Sequence, residues 1–105
     1  MAQELYCIAQ FTPKEGRLEE LYSKLKALEE ESRKEDGCIQ YIITRHTPNE
    51  FADGESAPLV FNEIWKDKKS FEDHCQREEI QNFFQSECLD ENGSALKWNV
   101  CTYTS

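Results

Sequence analysis

Apolar and polar residues alternate with two different periods along this chain, and the changes between the periods divide it into six elements. A period of two, which is typical of strands, occurs over residues 5–11, 38–46, 59–65 and 95–103. Apolar side chains recur every three or four positions over residues 17–33 and 68–89, as in amphipathic helices. The predicted order is therefore β-α-β-β-α-β.

The two predicted helices differ in how clearly their ends are marked. The first carries a single apolar stripe of Leu18, Leu21, Tyr22, Leu25 and Leu28. The charged run that follows, residues 29–36, is interpreted as a solvated helix end closed by Gly37. For the second helix, Asp67 is the expected N-cap, and a break is expected near Gln76 and Arg77. Residues 48–58 and 90–93 are expected to be loops.

The element order is that of the split β-α-β, ferredoxin-like fold, an α+β arrangement with two helices on one face of a four-stranded antiparallel sheet. The predicted strands nevertheless carry apolar side chains on both faces, and those expected on the second face include Tyr6, Ile8, Ile39, Ile43, Val60 and Ile64. A large exposed apolar patch would result if that face stayed uncovered. We therefore expect two sheets to pair in a two-fold symmetric homodimer.

Length and charge narrow the class of protein. The 105 residues form one expected domain, 1–105, and a formal net charge of -9 argues against nucleic acid and against anionic membranes as partners. The chain contains no apolar run near the ~20 residues that cross a bilayer. Its first residues lack the charged and apolar parts of a signal peptide, so a cytoplasmic location is expected.

Cysteine and histidine spacing gives no indication of a metal site. The five cysteines are odd in number, widely spaced and without a Cys-x-x-Cys pair, so reduced thiols are expected rather than disulfides. His46 and His74 lie too far apart in sequence to indicate metal ligation. Glycine-rich phosphate loops and the nucleophile elbow of serine hydrolases are also absent from the sequence. No metal site is therefore expected from the residues alone.

The best candidate site lies in residues 61–74, where a strand passes through a short turn into a helix. Alternation places Phe61, Glu63 and Trp65 on one side of the strand. Helical spacing places Phe71 and His74 on one face, together with Cys75. A carboxylate, an indole and an imidazole can then face one another. Cys75 does not pair with His74 as a nucleophile, because adjacent helical residues point about 100° apart.

Three segments carry a resemblance to a known family: residues 13–17 (PKEGR), 32–41 (SRKEDGCIQY) and 61–74 (FNEIWKDKKSFEDH). With them, nearly the whole chain resembles the antibiotic biosynthesis monooxygenase (ABM) family, which includes small quinol monooxygenases. The resemblance implies a dimeric α+β barrel, a pocket between sheet and helices, and oxygen chemistry without metal or flavin. Some relatives degrade haem. Their first-strand asparagine is replaced here by Ala9, and their haem-facing histidine is missing, which argues against haem degradation.

Oxygen chemistry without a cofactor requires an electron-rich anion in a dry pocket, because triplet dioxygen reacts slowly with closed-shell molecules. His74 is the predicted base. Glu63 is predicted either to orient His74 or stabilise its charge, or to have its own pKa raised by burial. The predicted pocket walls are Trp65, Phe61, Phe71, Phe83 and Phe84. Two residues could hydrogen-bond a substrate hydroxyl, Tyr41 and Asn62, although Asn62 is expected to face the dimer side.

Several alternatives remain open at this point. His74 can equally be a core histidine, with Glu63 as a buried anchor between strand and helix. The first functional hypothesis is a cofactor-independent monooxygenase acting on a quinol or polycyclic phenol. The second is a binding module for a small aromatic metabolite. The third is an isomerase or hydrolase of a small polar or phosphorylated signal molecule, which would need Arg45 or Arg77 in the pocket. An apolar pocket favours the first two, and a pocket lined by arginine favours the third.

Overall fold

The computed structural model describes residues 3–105 and contains one four-stranded antiparallel sheet in the order β2-β3-β1-β4. The strands are β1 (Leu5–Pro13), β2 (Cys38–Arg45), β3 (Leu59–Trp65) and β4 (Ala95–Tyr103). The helices are α1 (Leu18–Ala27), α2 (Glu29–Arg33), α3 (Lys68–Cys75) and α4 (Glu78–Phe83), and a π-helical segment, Phe84–Leu89, follows α4. The predicted ferredoxin-like α+β fold is confirmed.

Local signals account for both ends of helix α3. Asp67 caps α3, because its carboxylate accepts a hydrogen bond from the Ser70 N–H at 2.8 Å. The expected break near Gln76 separates α3 from α4. The first helix, predicted as one, is divided at Leu28 into α1 and α2, whose backbones remain helical through the junction.

The core lies between the helices and one face of the sheet. Burial alternates along β1 and β3, so that Cys7, Phe11, Phe61 and Trp65 point toward the helices. Leu21 and Leu25 of α1 and Ile80 and Phe83 of α4 belong to the same cluster. Every second residue on the central strands β1 and β3 is therefore packed beneath the helices. Among the described residues, no helix has the length and apolar character needed to cross a membrane.

One prediction about strand β2 is wrong. Ile39 and Ile43 were expected to lie together on the second face, but Ile39 is 52% exposed whereas Ile43, like Tyr41, is buried in the core. The register shifts between Cys38 and Gln40, and such a bulge changes which side chains face inward. Ile43 consequently does not belong to the second face of the sheet. Ile42 takes that place, opposite Asn62 of β3.

The charged run after α1 is more than a solvated helix end. Glu29 is buried, and its carboxylate accepts a hydrogen bond from the Ile43 N–H at 2.8 Å. Arg33 Nε donates to the Tyr41 carbonyl at 2.9 Å. These side chains bond backbone groups of the sheet-edge strand β2, which protects that edge from pairing with another chain. They also fix the position of the turn that follows α2.

A second buried carboxylate anchors the start of β4. Glu87 accepts hydrogen bonds from the Ser94 hydroxyl at 2.6 Å and from Lys24 Nζ at 2.7 Å. Burial by itself would raise the pKa of Glu87, but the hydrogen bonds from Lys24 and Ser94 outweigh it and lower the pKa to about 2. The π-helical segment and β4 are thereby held against α1.

Candidate active site

A cavity of about 490 Å³ lies between the sheet and the helices. The sheet contributes Ala9, Phe11, Tyr41, Phe61, Glu63 and Val100 to its wall. The helical side contributes Phe71, His74, Ile80, Phe83 and Phe84, among others. The wall is mainly aliphatic and aromatic, with a few polar groups, as is usual for a small-molecule site.

His74 is buried in the wall of this cavity, with 3% of its surface exposed. Its ring lies 4.5 Å from the Trp65 ring, centroid to centroid, and 5.1 Å from the Tyr41 ring in an edge-on arrangement. Its Nδ1 lies 2.7 Å from Glu35 Oε2. The imidazole is therefore held on two sides by aromatic rings and on a third by a carboxylate.

The carboxylate that holds His74 is Glu35, and not Glu63 as the sequence suggested. Glu35 Oε2 also accepts a hydrogen bond from Arg77 Nη1 at 2.9 Å. Glu63 instead accepts a hydrogen bond from Trp65 Nε1 at 3.0 Å. Glu35 was missed because it stands in the charged run that was read as solvated, 39 positions before His74.

The environment of His74 favours a neutral imidazole that can act as a base. Burial lowers the pKa of His74, and the hydrogen bond to Glu35 and its charge partly oppose that effect. Arg77 lowers the pKa further. Since Glu35 is an acceptor, we assign the proton of the neutral ring to Nδ1, which leaves Nε2 free to accept a proton.

Glu63 presents a second titratable group to the same cavity. It is 6% exposed, and within residues 3–105 it forms no ion pair. Burial raises its pKa to about 7, although hydrogen bonds from Trp65 and Cys7 oppose the increase. Burial also raises the pKa of the Cys7 thiol well above its usual range. Near neutral pH, Glu63 can therefore carry a proton that an ordinary carboxyl group would have lost.

The other predicted site residues fall into three groups: those that line the cavity, one that is buried behind His74, and one on the opposite face of the sheet. Five of them line the cavity: Phe61, Phe71, Phe83, Phe84 and Tyr41. Trp65 is completely buried behind His74 and supports its ring rather than forming the wall. Asn62 lies on the opposite face of the sheet, where its amide donates to Thr44 Oγ1 at 3.0 Å, and so does not reach the cavity.

The cavity wall also includes residues that sequence reasoning did not select. Ala9, Phe11 and Val100 come from strands, and Gln81 and Gln85 come from the helical segment after α3. Ala9 and Phe11 follow from alternation once the inward face of β1 is known, because they lie two and four positions after the buried Cys7 and so share its face. Val100 is opposite Ala9 in the register of β1 with β4.

Neither candidate arginine lines the cavity. Arg45 forms two hydrogen bonds with the Glu19 carboxylate, at 2.6 and 2.8 Å, and its guanidinium lies 3.8 Å from the centre of the Tyr22 ring. Arg77 is paired with Glu35. The cavity of the described chain thus lacks the positive charge that a phosphorylated ligand would need. Within residues 3–105, no three His, Cys, Asp or Glu side chains come together as a metal site would require.

The described residues thus form a ferredoxin-like α+β domain in which a buried imidazole lies beside a mainly apolar cavity. The chain belongs to the antibiotic biosynthesis monooxygenase family, whose profile matches residues 5–86.

Solved structures from several organisms have the same fold. Protein SO0527 from Shewanella oneidensis is 28% identical with a TM-score of 0.81, and the match covers 100% of this chain and 93% of that one. PA3566 from Pseudomonas aeruginosa is 25% identical with a TM-score of 0.80, covering 100% and 96%. A conserved protein from Methanosarcina mazei Go1 is 24% identical with a TM-score of 0.76, covering 96% and 91%. The search of curated proteins found no significant match.

Proposed function

We propose that this protein is a cofactor-independent monooxygenase that oxidises a quinol or a polycyclic phenol. The observation that carries the proposal is the buried His74, whose Nδ1 is bound to Glu35 while its ring forms part of an apolar cavity wall. Membership of the monooxygenase family supports the same reaction class. The cavity volume of about 490 Å³ lies in the range that suits a small ligand.

The proposed reaction begins with proton transfer from the substrate to His74 Nε2. The substrate anion then passes one electron to dioxygen, and the resulting radical and superoxide combine to form a carbon–oxygen bond. Cleavage of the O–O bond needs a proton on the departing oxygen, for which Glu63 is the donor. Loss of the hydrogen on the same carbon completes the carbonyl group. One oxygen atom enters the product, and the other leaves as water. Its two hydrogens come in the balance from the substrate: the hydroxyl proton taken up by His74, and the hydrogen lost from the oxidised carbon, which restores the proton of Glu63.

The apolar wall supports this chemistry by excluding water from the reactive anion. Phe61, Phe83 and Phe84 present flat surfaces to an aromatic substrate. The Tyr41 hydroxyl remains protonated because burial raises its pKa beyond its ordinary value, so it can donate to a substrate oxygen. The absence of arginine from the described cavity wall gives no support to the isomerase hypothesis.

Oxygen consumption tests the proposal directly. We expect purified protein to consume oxygen with at least one member of a panel of hydroquinones and hydroxylated polycyclic aromatics. With ¹⁸O₂, the product should contain one labelled oxygen and no peroxide should accumulate. Reactions without protein measure autoxidation. Tight binding of an aromatic compound without oxygen uptake across the panel would contradict the enzyme and support the binding module.

We also propose that the protein is a homodimer formed through the open face of the sheet. That face carries Tyr6, Ile8, Ile42, Val60, Ile64 and Tyr103, and none of the described helices covers it. Pairing two copies removes this apolar surface from water. We separately propose a cytoplasmic location, because the five cysteines are all free and a cytoplasmic environment keeps thiols reduced.

Ile8→Lys is expected to convert the dimer to a monomer, because it places a charge at the centre of the proposed interface, beside Asn62 and Cys101. Sedimentation velocity measures the change, and the chain mass is 12.3 kDa. Leu18→Lys is the matched control, since Leu18 is a partly exposed apolar residue on helix α1. A wild-type monomer, or a variant that remains dimeric, would rule out this interface.

A further inference from the structure

Glu35 lies between the apolar cavity and a second, polar cleft at the surface. This cleft has a volume of about 250 Å³ and is lined by Glu35, Asp36, Lys66, Asp67, Lys69 and Ser70, among others. The Glu35 side chain is 17% exposed, whereas the His74 side chain that it contacts is 4% exposed. The carboxylate therefore has one side toward solvent and the other toward the buried imidazole.

Three separate segments determine where the Glu35 carboxylate sits. The backbone of Glu35 is fixed by hydrogen bonds from its own N–H to the Ser32 carbonyl and from the Cys38 N–H to its carbonyl, at 3.1 and 3.0 Å. Its Oε2 is shared by His74 of α3, at 2.7 Å, and by Arg77 of the α3–α4 turn, at 2.9 Å. A carboxylate held by a guanidinium in this way has little freedom to leave the imidazole.

We infer that Glu35 is the positioning residue of this site, which fixes the tautomer of His74 and supplies the counter-charge when its ring accepts a proton, and that Arg77 limits the strength of that effect. The inference rests on the proposed function for its catalytic meaning. The state of the imidazole itself can be measured in the absence of any substrate.

The charged and titratable groups around His74 determine in which direction each substitution should shift its pKa. Glu35 and Glu79 favour the protonated ring, whereas Arg77 and burial favour the neutral ring. Glu63 and the phenol of Tyr41 line the same cavity. With Glu35 in place, Nδ1–H donates to the carboxylate and Nε2 is the basic nitrogen. Without it, a buried imidazolium would lose its directly bonded counter-charge.

Glu35→Gln is therefore expected to lower the pKa of His74, by on the order of one unit for loss of an opposite charge at hydrogen-bonding distance. Arg77→Gln is expected to move it in the opposite direction. Titration of the imidazole signals by NMR measures both shifts, and the exposed His46 in the same sample is an internal reference. Glu31→Gln is the matched control, because Glu31 is an exposed carboxylate of the same run and pairs, within residues 3–105, with Lys34 and not with His74.

The tautomer provides a second readout. Long-range ¹H–¹⁵N spectra of neutral His74 should show the proton on Nδ1. The proton on Nε2, or a His74 pKa in Glu35→Gln equal to that of the Glu31→Gln control, would overturn the inference. If Glu35→Gln proves unstable, Arg77→Gln and the wild-type tautomer still decide the matter.

Activity measurements separate this inference from the proposed function. Once a substrate is identified, Glu35→Gln should lower kcat roughly tenfold or more with little change in KM. The acid limb of the pH profile of kcat should move to lower pH in this variant, because the His74 ring must be neutral to act as a base and its pKa is lower. Absence of oxygen uptake in the wild type would refute the monooxygenase while leaving the NMR result to decide the role of Glu35. A loss of activity in Glu35→Gln without a shift of its pH profile would overturn the positioning role.

Discussion

His74→Asn is expected to lower the rate of substrate-dependent oxygen uptake by about 10²- to 10⁴-fold, the usual contribution of a general base. The asparagine amide can still donate a hydrogen bond to the Glu35 carboxylate, as Nδ1–H of His74 does in the wild type. What the variant lacks is a nitrogen that can accept a proton inside the cavity. The loss should therefore appear in kcat, while an aromatic ligand should still bind the apolar wall.

The control for this prediction is His46→Asn, since His46 is the other histidine of the chain and lies at an exposed position after β2. Its oxygen uptake should equal that of the wild type. Near-UV circular dichroism would show that the aromatic packing around residue 74 persists. Oxygen uptake in His74→Asn equal to the wild-type rate would remove His74 from the mechanism and leave it as a core histidine.

Glu63→Gln is expected to make the free energy of unfolding less sensitive to pH. The pKa of Glu63 is raised by burial to about 7, so the folded protein holds its proton more tightly than the unfolded chain does. This contribution to stability is fully present below pH ~4.5 and is lost as the pH rises through about 7. The shift corresponds to about 3 kcal/mol between those limits. Glutamine has no proton to lose, so the variant should not show this decline.

Urea unfolding at pH 5 and pH 8.5 measures the effect. The quantity to compare is the difference in free energy of unfolding between variant and wild type, which should change between the two pH values. Taking that difference removes the contribution of His74, which has the opposite sign because its pKa is lowered in the folded state. Glu91→Gln is the matched control, since Glu91 is an exposed carboxylate in the turn before β4. If the free energy of unfolding depends equally on pH in wild type and Glu63→Gln, the Glu63 carboxyl is already ionised in the folded protein at pH 5 and its pKa is not raised.

These two predictions concern residues that alternation and helical spacing had already selected. Glu63 follows Phe61 and precedes Trp65 at a period of two, so its burial follows from that of its neighbours. His74 lies one turn after Phe71, and Asp67 determines where α3 begins. Local periodicity therefore brought both groups to the interface between sheet and helices. It could not indicate which carboxylate would contact the imidazole.

The partner of His74 is decided by long-range packing. Glu35 belongs to a run of charged residues whose composition is that of a solvated helix end. It turns inward because Glu29 and Arg33 bind the edge of β2 and because Arg77 bonds its carboxylate from the α3–α4 turn. Those contacts join residues that are distant in the chain. The bulge near Ile39 has the same origin, since register depends on how β2 meets β3.

The sequence by itself determined the order of elements, the buried faces of β1 and β3 and the location of His74 and Glu63, because each depends on the spacing of neighbouring residues. Only the tertiary structure decided that Glu35 holds the imidazole, that Trp65 supports it from behind and that the arginines stay outside the cavity. Periodicity assigns a side chain to a face, but a hydrogen bond between groups 39 positions apart depends on the whole chain having folded.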